Sequence, residues 1–164
     1  MKSKIIAIAF LLFGYANAQQ VKGGFHGGFP IGDLADGTSF NLGLDVSALW
    51  EVYDGVKVGG ATGYTYFFGK KVDVNGLSTS TDGIGFVPVA GALEYYFTED
   101  MFVGGDLGLA FALSNDSKKD ISLYFQPKFG YKITNELDFF GSFKFIDSGT
   151  AIGIGFGYEL MAGK

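Results

Sequence analysis

The chain is predicted to be an all-β protein, a closed antiparallel up-and-down transmembrane β-barrel of eight strands. Three observations predict it. Hydrophobicity alternates with a period of two along most of the sequence. The two faces so defined are unequal: one carries large apolar side chains, the other Gly, Ala and Ser with isolated charges. The alternating segments are joined by short turns on one side and longer loops on the other, the asymmetry of a barrel set in a membrane.

The alternation is clearest in residues 101–113. Met101, Val103, Gly105, Leu107, Leu109, Phe111 and Leu113 share one face, and Phe102, Gly104, Asp106, Gly108, Ala110 and Ala112 the other, because successive Cβ atoms of a strand point to opposite sides. Residues 121–133 repeat the pattern. The eight segments are 21–29, 38–50, 56–68, 83–97, 101–113, 120–133, 137–146 and 150–160. Each is near or above the roughly 9–11 residues a tilted strand needs to cross a bilayer. Connections 51–55, 98–100 and 134–136 are tight; 30–37, 69–82 and 114–119 are longer, and 147–149 joins the last two segments.

The two faces decide the class. A soluble barrel keeps its large apolar residues inside and a charged face in water. Here the second face is a poor solvated surface but suits a narrow, crowded lumen, and the large face suits hydrocarbon. An open sheet edge would leave backbone groups unpaired in lipid, so the sheet must close. Aromatic residues of the large face fall in two groups. Trp50, Tyr95, Phe97, Tyr131, Phe139 and Tyr158 lie near the tight turns; Phe40, Tyr66, Phe68, Phe111 and Phe145 lie near the loops. Two such bands are expected to be the girdles that sit at membrane interfaces. Ordinary enrichment of aromatics in strands would not sort them to both ends.

Residues 1–18 read as a cleaved signal peptide: Lys2 and Lys4, an apolar run over 5–15, then Ala16-Asn17-Ala18 as a small-x-small site. The run is too short for a membrane helix, which needs about 20 apolar residues. One barrel domain over 19–164 is expected to follow, in the bacterial outer membrane with its lipids as partners. There is no Cys, which excludes disulfides and lipidation at cysteine. A net charge of −5 without a single Arg argues against nucleic acid as a partner. Aromatics at 17% argue against disorder.

Over residues 21–160 this pattern resembles the small eight-stranded outer-membrane barrels, the group of outer-membrane protein X and the membrane domain of outer-membrane protein A. The resemblance rests on pattern rather than on a residue motif. It implies insertion by the barrel-assembly machinery, which in many members reads a terminal aromatic residue. Here the alternating Phe156 and Tyr158 are displaced from the end of the chain.

No catalytic, cofactor or metal residue is expected. Gly83-Ile84-Gly85 and the glycines at 153, 155 and 157 lie inside alternating segments and lack the strand–turn–helix setting of a phosphate loop. His26, the one histidine, is expected in the lumen without companion ligands. Asp73-Val74-Asn75-Gly76 lacks the later glutamate of a calcium loop. Some small barrels modify lipid A through a histidine beside a serine, and no Ser is placed beside His26 at a rim.

The candidate site is therefore the lumenal charges. Opposite residues of a hairpin have a constant index sum. Centring each connection pairs Asp106 with Lys128, Lys57 with Glu94, Lys132 with Asp138, and Lys22 with Asp45. These pairs are expected to plug the lumen and fix the register. The leading functional reading is a structural or surface-interaction barrel displaying 30–37, 69–82 and 114–119 to an extracellular partner. A porin-like small channel and a lipid A-modifying enzyme are the alternatives. An eight-stranded lumen has room only for side chains, against the channel.

Overall fold

The structure, a computed structural model, describes residues 20–74, 77–80, 82–113, 121–147 and 149–162. The predicted signal over 1–18 and the loop at 114–119 lie outside the described residues. The elements are β1 (Gln20–Ile31), α1 (Leu34–Gly37), β2 (Thr38–Tyr53), β3 (Val56–Gly69), β4 (Lys71–Val74), β5 (Leu77–Ser80), β6 (Ile84–Tyr96), β7 (Met101–Leu113), β8 (Ile121–Lys132), β9 (Leu137–Ile146) and β10 (Gly149–Ala162). Eight strands close into a barrel in the order β1-β2-β3-β6-β7-β8-β9-β10, and β10 returns to β1. All neighbours are antiparallel. The fold class is the one the alternation predicts.

Two of the longer connections carry more order than the sequence reading gave them. In 69–82, β4 and β5 pair as a separate two-stranded sheet. Four residues are too few for a period-two count to register. In 30–37, β1 runs on to Ile31 and α1 supplies one helical turn. Thr38 Oγ1 donates to the Leu34 carbonyl at 2.7 Å, which ties α1 to the start of β2.

Two of the tight turns share one device. Thr98 Oγ1 accepts from the Met101 N–H at 2.9 Å, and Thr134 Oγ1 from the Leu137 N–H at 3.0 Å. Each hydroxyl takes over a backbone donor that the ladder leaves unpaired at its end. Between β2 and β3 the turn is closed by Gly55 at φ 73°, a conformation that glycine adopts without a Cβ penalty.

The barrel wall is apolar outward. Phe25, Leu44, Leu107, Leu109, Leu123, Phe129 and Ile154 all stand exposed on it. This is the inverse of a water-soluble barrel and fits a hydrocarbon solvent. Inward, bulky side chains sit over glycines of the next strand. Phe102 lies over Gly130, Phe140 over Gly155 and His26 over Gly43; a Cβ at those glycines would fall 2.2, 2.5 and 2.5 Å from them. Gly43, Gly130 and Gly155 thus leave the space that these large lumenal groups occupy.

Two seams interrupt the hydrogen-bonded ladder. Between β3 and β6, pairing skips from Thr62↔Val89 to Thr65↔Phe86. Between β8 and β9 it skips from Phe125↔Phe145 to Lys128↔Ser142. The first gap contains Pro88 and the second Pro127. Proline has no N–H to give. Thr62 Oγ1 bridges the first seam by donating to the Pro88 carbonyl at 2.7 Å.

Candidate functional site

The lumen is layered. At the loop end Phe67, Ala110, Tyr124, Ile146 and Ala151 form a buried apolar cluster, and Leu34 of α1 packs against it. Below it, toward the tight turns, the lumenal charges of all eight barrel strands meet.

Lys22 of β1 is the hub at the turn end. Its Nζ lies 2.8 Å from Glu94 Oε2 of β6 and 3.1 Å from Asp138 Oδ2 of β9, with side chains only 7–9% exposed. It also donates to Tyr96 Oη at 2.8 Å, and Tyr96 donates on to Glu94. All three ammonium hydrogens are thereby used. Lys57 Nζ donates to Gln20 Oε1 at 2.9 Å, and Gln20 in turn donates to Glu159. Lys57 and Lys132 lie over the Tyr96 ring at 4.7 and 4.6 Å. In the middle, Lys128 meets Asp106 at 2.7 Å. Tyr124 donates to Gln126 beside them.

The third group is built from β9, β1, β2 and β3. Lys144 Nζ donates to His26 Nε2 and to Thr65 Oγ1, both at 2.8 Å, and His26 Nδ1 lies 2.7 Å from Asp45 Oδ2. A lysine donating to Nε2 assigns the proton to Nδ1, where it is given to Asp45. Carboxylate, imidazole and hydroxyl are thus joined in the order that nucleophilic catalysis uses. The hydroxyl has no reactive freedom, however. Thr65 is 1% exposed, His26 2%, and Lys144 already holds both. A lumenal cavity of about 40 Å³ is lined by Asp45, Glu94, Asp106 and Asp138 but by neither His26 nor Thr65. That volume holds a few waters, at about 10–15 Å³ each, and not a substrate. The arrangement acts as a hydrogen-bonded clasp across the lumen.

The hairpin arithmetic places two of the four pairs in register. Lys57 opposes Glu94 and Lys132 opposes Asp138. The carboxylates of both turn away to Lys22, across the lumen. The other two registers are corrected by two residues. Asp106 opposes Gln126, and Lys128 opposes Gly104. Lys22 opposes Ser47, and Asp45 opposes Gly24. The pairings of β1 with β2 and of β7 with β8 are each offset from the register that centring the connection gives. The Asp106–Lys128 contact survives as a diagonal, since long side chains reach the j±2 neighbour. Lys22 and Asp45 do not make an ion pair; Asp45 belongs to His26.

Lys144 and Thr65 escaped the sequence reading for a geometric reason. Lys144 opposes Ala151, and its partners lie 118 and 79 residues away. Adjacent-strand arithmetic sees only the wall, whereas these contacts cross the interior. The one available signal was the inward parity of Lys144 with Asp138 and Phe140.

The aromatic residues of the two predicted bands lie on the outward face. Tyr95, Phe97, Tyr131 and Tyr158 are 44–48% exposed at the turn end, and Trp50 is half-buried there. At the loop end Phe40 stacks on Phe68 with centroids 4.2 Å apart, Tyr66 meets Phe68 edge-on, and Phe111 is exposed.

A double-mutant cycle tests the central pair. Asp106→Asn and Lys128→Met are expected to couple by about 1–3 kcal/mol in urea unfolding from detergent. Additive effects would mean that the two groups do not interact in the folded barrel.

No protein-family model matches the sequence, and no curated protein matches it. Solved structures do. The outer-membrane protein Ail of Yersinia pestis in a phospholipid nanodisc is 16% identical, with 85% of this chain and 99% of that chain covered, at a TM-score of 0.55. Neisserial surface protein A is 14% identical over 86% and 96%, at 0.51. A de novo designed transmembrane β-barrel is 13% identical over 87% and 96%, at 0.58. At these identities it is the architecture that is shared: the chain has the fold of the small eight-stranded outer-membrane barrels.

Proposed function

We propose that the protein is a non-conducting, non-enzymatic barrel of the bacterial outer membrane, and that it serves as a rigid anchor presenting 30–37, 69–82 and 114–119 at the cell surface. One observation carries the proposal: the lumen is occupied at successive levels, by Leu34 and the apolar cluster, then by the Lys144–His26–Asp45 clasp, then by Asp106–Lys128 and the Lys22 hub. Side chains tied to one another across the interior plug it. The interactive surface is then what the loops display. The two aromatic bands would seat the barrel at the membrane interfaces, with lipids as solvent and the assembly machinery as the route in.

The neighbours support this by analogy only. Ail is described as an attachment invasion locus protein, with a structure in complex with a heparin analogue, and the Neisserial protein as a surface protein. A designed barrel shares the same architecture, so architecture alone assigns no task.

The purified barrel is expected to be silent in planar bilayers. Steady, uniform single-channel steps would overturn the plugged reading and favour the porin-like one. Recovery of the protein in a soluble periplasmic fraction would overturn the membrane reading itself.

A further inference from the structure

The outward wall is not uniform. Where β10, β1 and β2 adjoin, it holds a groove of about 480 Å³, within the roughly 300–1,000 Å³ of small-molecule clefts. Gly27 of β1 is its floor. Leu42 opposes Gly27 on one side and Ile154 on the other. Phe25 and Phe29, two positions away along β1, close its ends on the same face. They stand 51% and 67% exposed, upright from the wall rather than folded over the glycine.

Two other outward glycines lie under tyrosine side chains: the Tyr64 hydroxyl lies over Gly85 and the Tyr66 hydroxyl over Gly83. Gly60, Gly105 and Gly141 are open, so it is the flanking walls and not openness alone that set Gly27 apart. At Gly27 the nearest side-chain atom is Leu42 Cδ2, at 3.1 Å from an added Cβ, and it belongs to the wall.

We infer that this groove binds one acyl chain of a membrane lipid as a defined site, distinct from the lipid that merely surrounds the barrel. The inference rests on the membrane reading above. The lining offers carbon and no charged side chain, so it selects a hydrocarbon tail and not a headgroup. Its walls stand on strands two spacings apart, about 9–10 Å between axes, which leaves a slot one chain wide. The slot, one chain wide and lined by carbon, matches a linear hydrocarbon chain. Gly27 lies four residues from the loop end of β1, which places the groove in the half of the membrane nearest the loops.

The test uses the folded barrel in detergent with dimyristoyl phosphatidylcholine as probe, read by native mass spectrometry. Wild type is expected to retain one lipid at concentrations where Gly27→Leu, which fills the floor, needs about tenfold more. Gly105→Leu, at an outward glycine with only ordinary contacts around it, should match wild type. Phe29→Ala removes a wall without adding bulk and should weaken retention too, which covers the case in which Gly27→Leu fails to fold. Dimyristoyl phosphatidylglycerol should behave as the choline lipid does. Equal retention by wild type and both groove variants overturns the inference, as does a barrel dimer that Gly27→Leu dissociates. In either case the wild-type barrel would still insert into vesicles. Failure to insert would instead strike the membrane reading.

Discussion

Replacing Lys22 with methionine is expected to cost about 3–5 kcal/mol of unfolding free energy, the scale for breaking a buried ion pair by removing one partner. The cost is large because one ammonium serves two carboxylates. Without it Glu94 and Asp138 face each other's charge in an interior where each is at most 7% exposed. Tyr96 loses a donor as well. The companion substitution of Glu94 by Gln should cost less, because Asp138 still satisfies Lys22 and Gln can accept from it. Urea unfolding of the two variants in one detergent measures the difference. A Lys22→Met barrel as stable as wild type would mean that water reaches the hub and screens it.

Substituting Gly59 with valine is expected to abolish folding or to destabilise by about 3 kcal/mol or more, the upper range for overpacking. A Cβ at Gly59 would fall 1.9 Å from the Ala48 carbonyl oxygen and 3.0 Å from Leu49 Cα. Both are backbone atoms of β2, so relief requires two paired strands to part. Gly60, the next residue, faces the other way, and its nearest atom would lie 3.9 Å from an added Cβ. Gly60→Ala should therefore change stability by no more than about 0.5 kcal/mol. Equal behaviour of the two variants would show that the inward approach of β3 to β2 is slack.

The wall was legible in the sequence because its determinants are local. Alternation sets which side chains face lipid, and β7 and β9 have the limits that the alternation predicts. The short pairing of β4 with β5 was not legible, since four residues carry no measurable period. Register was legible where a strand pair centres on its connection, as for Lys132 opposite Asp138 across a tight turn and Lys57 opposite Glu94 across the longest connection, and slipped by two for β1 with β2 and β7 with β8. The lumen was legible only in its parity. The choice of partners across the interior depends on barrel closure, which brings β1 against β6 and β9. No pairwise rule along the chain contains that closure. Lys22 therefore looked like a partner for Asp45, and Lys144 drew no assignment.

The two proline seams divide the wall into unequal staves. One is the three-strand panel β6, β7 and β8; the other is the five-strand panel from β9 through β10, β1 and β2 to β3. Thr65 and Lys144 stand on the outer strands of the larger panel, each beside a missing rung. The 2.8 Å bond between them runs through the interior like a tie rod between the two lips. The clasp around His26 thereby joins the two outer strands of the larger stave across the lumen. The two lips are linked from within at the level where the backbone ladder between strands is interrupted.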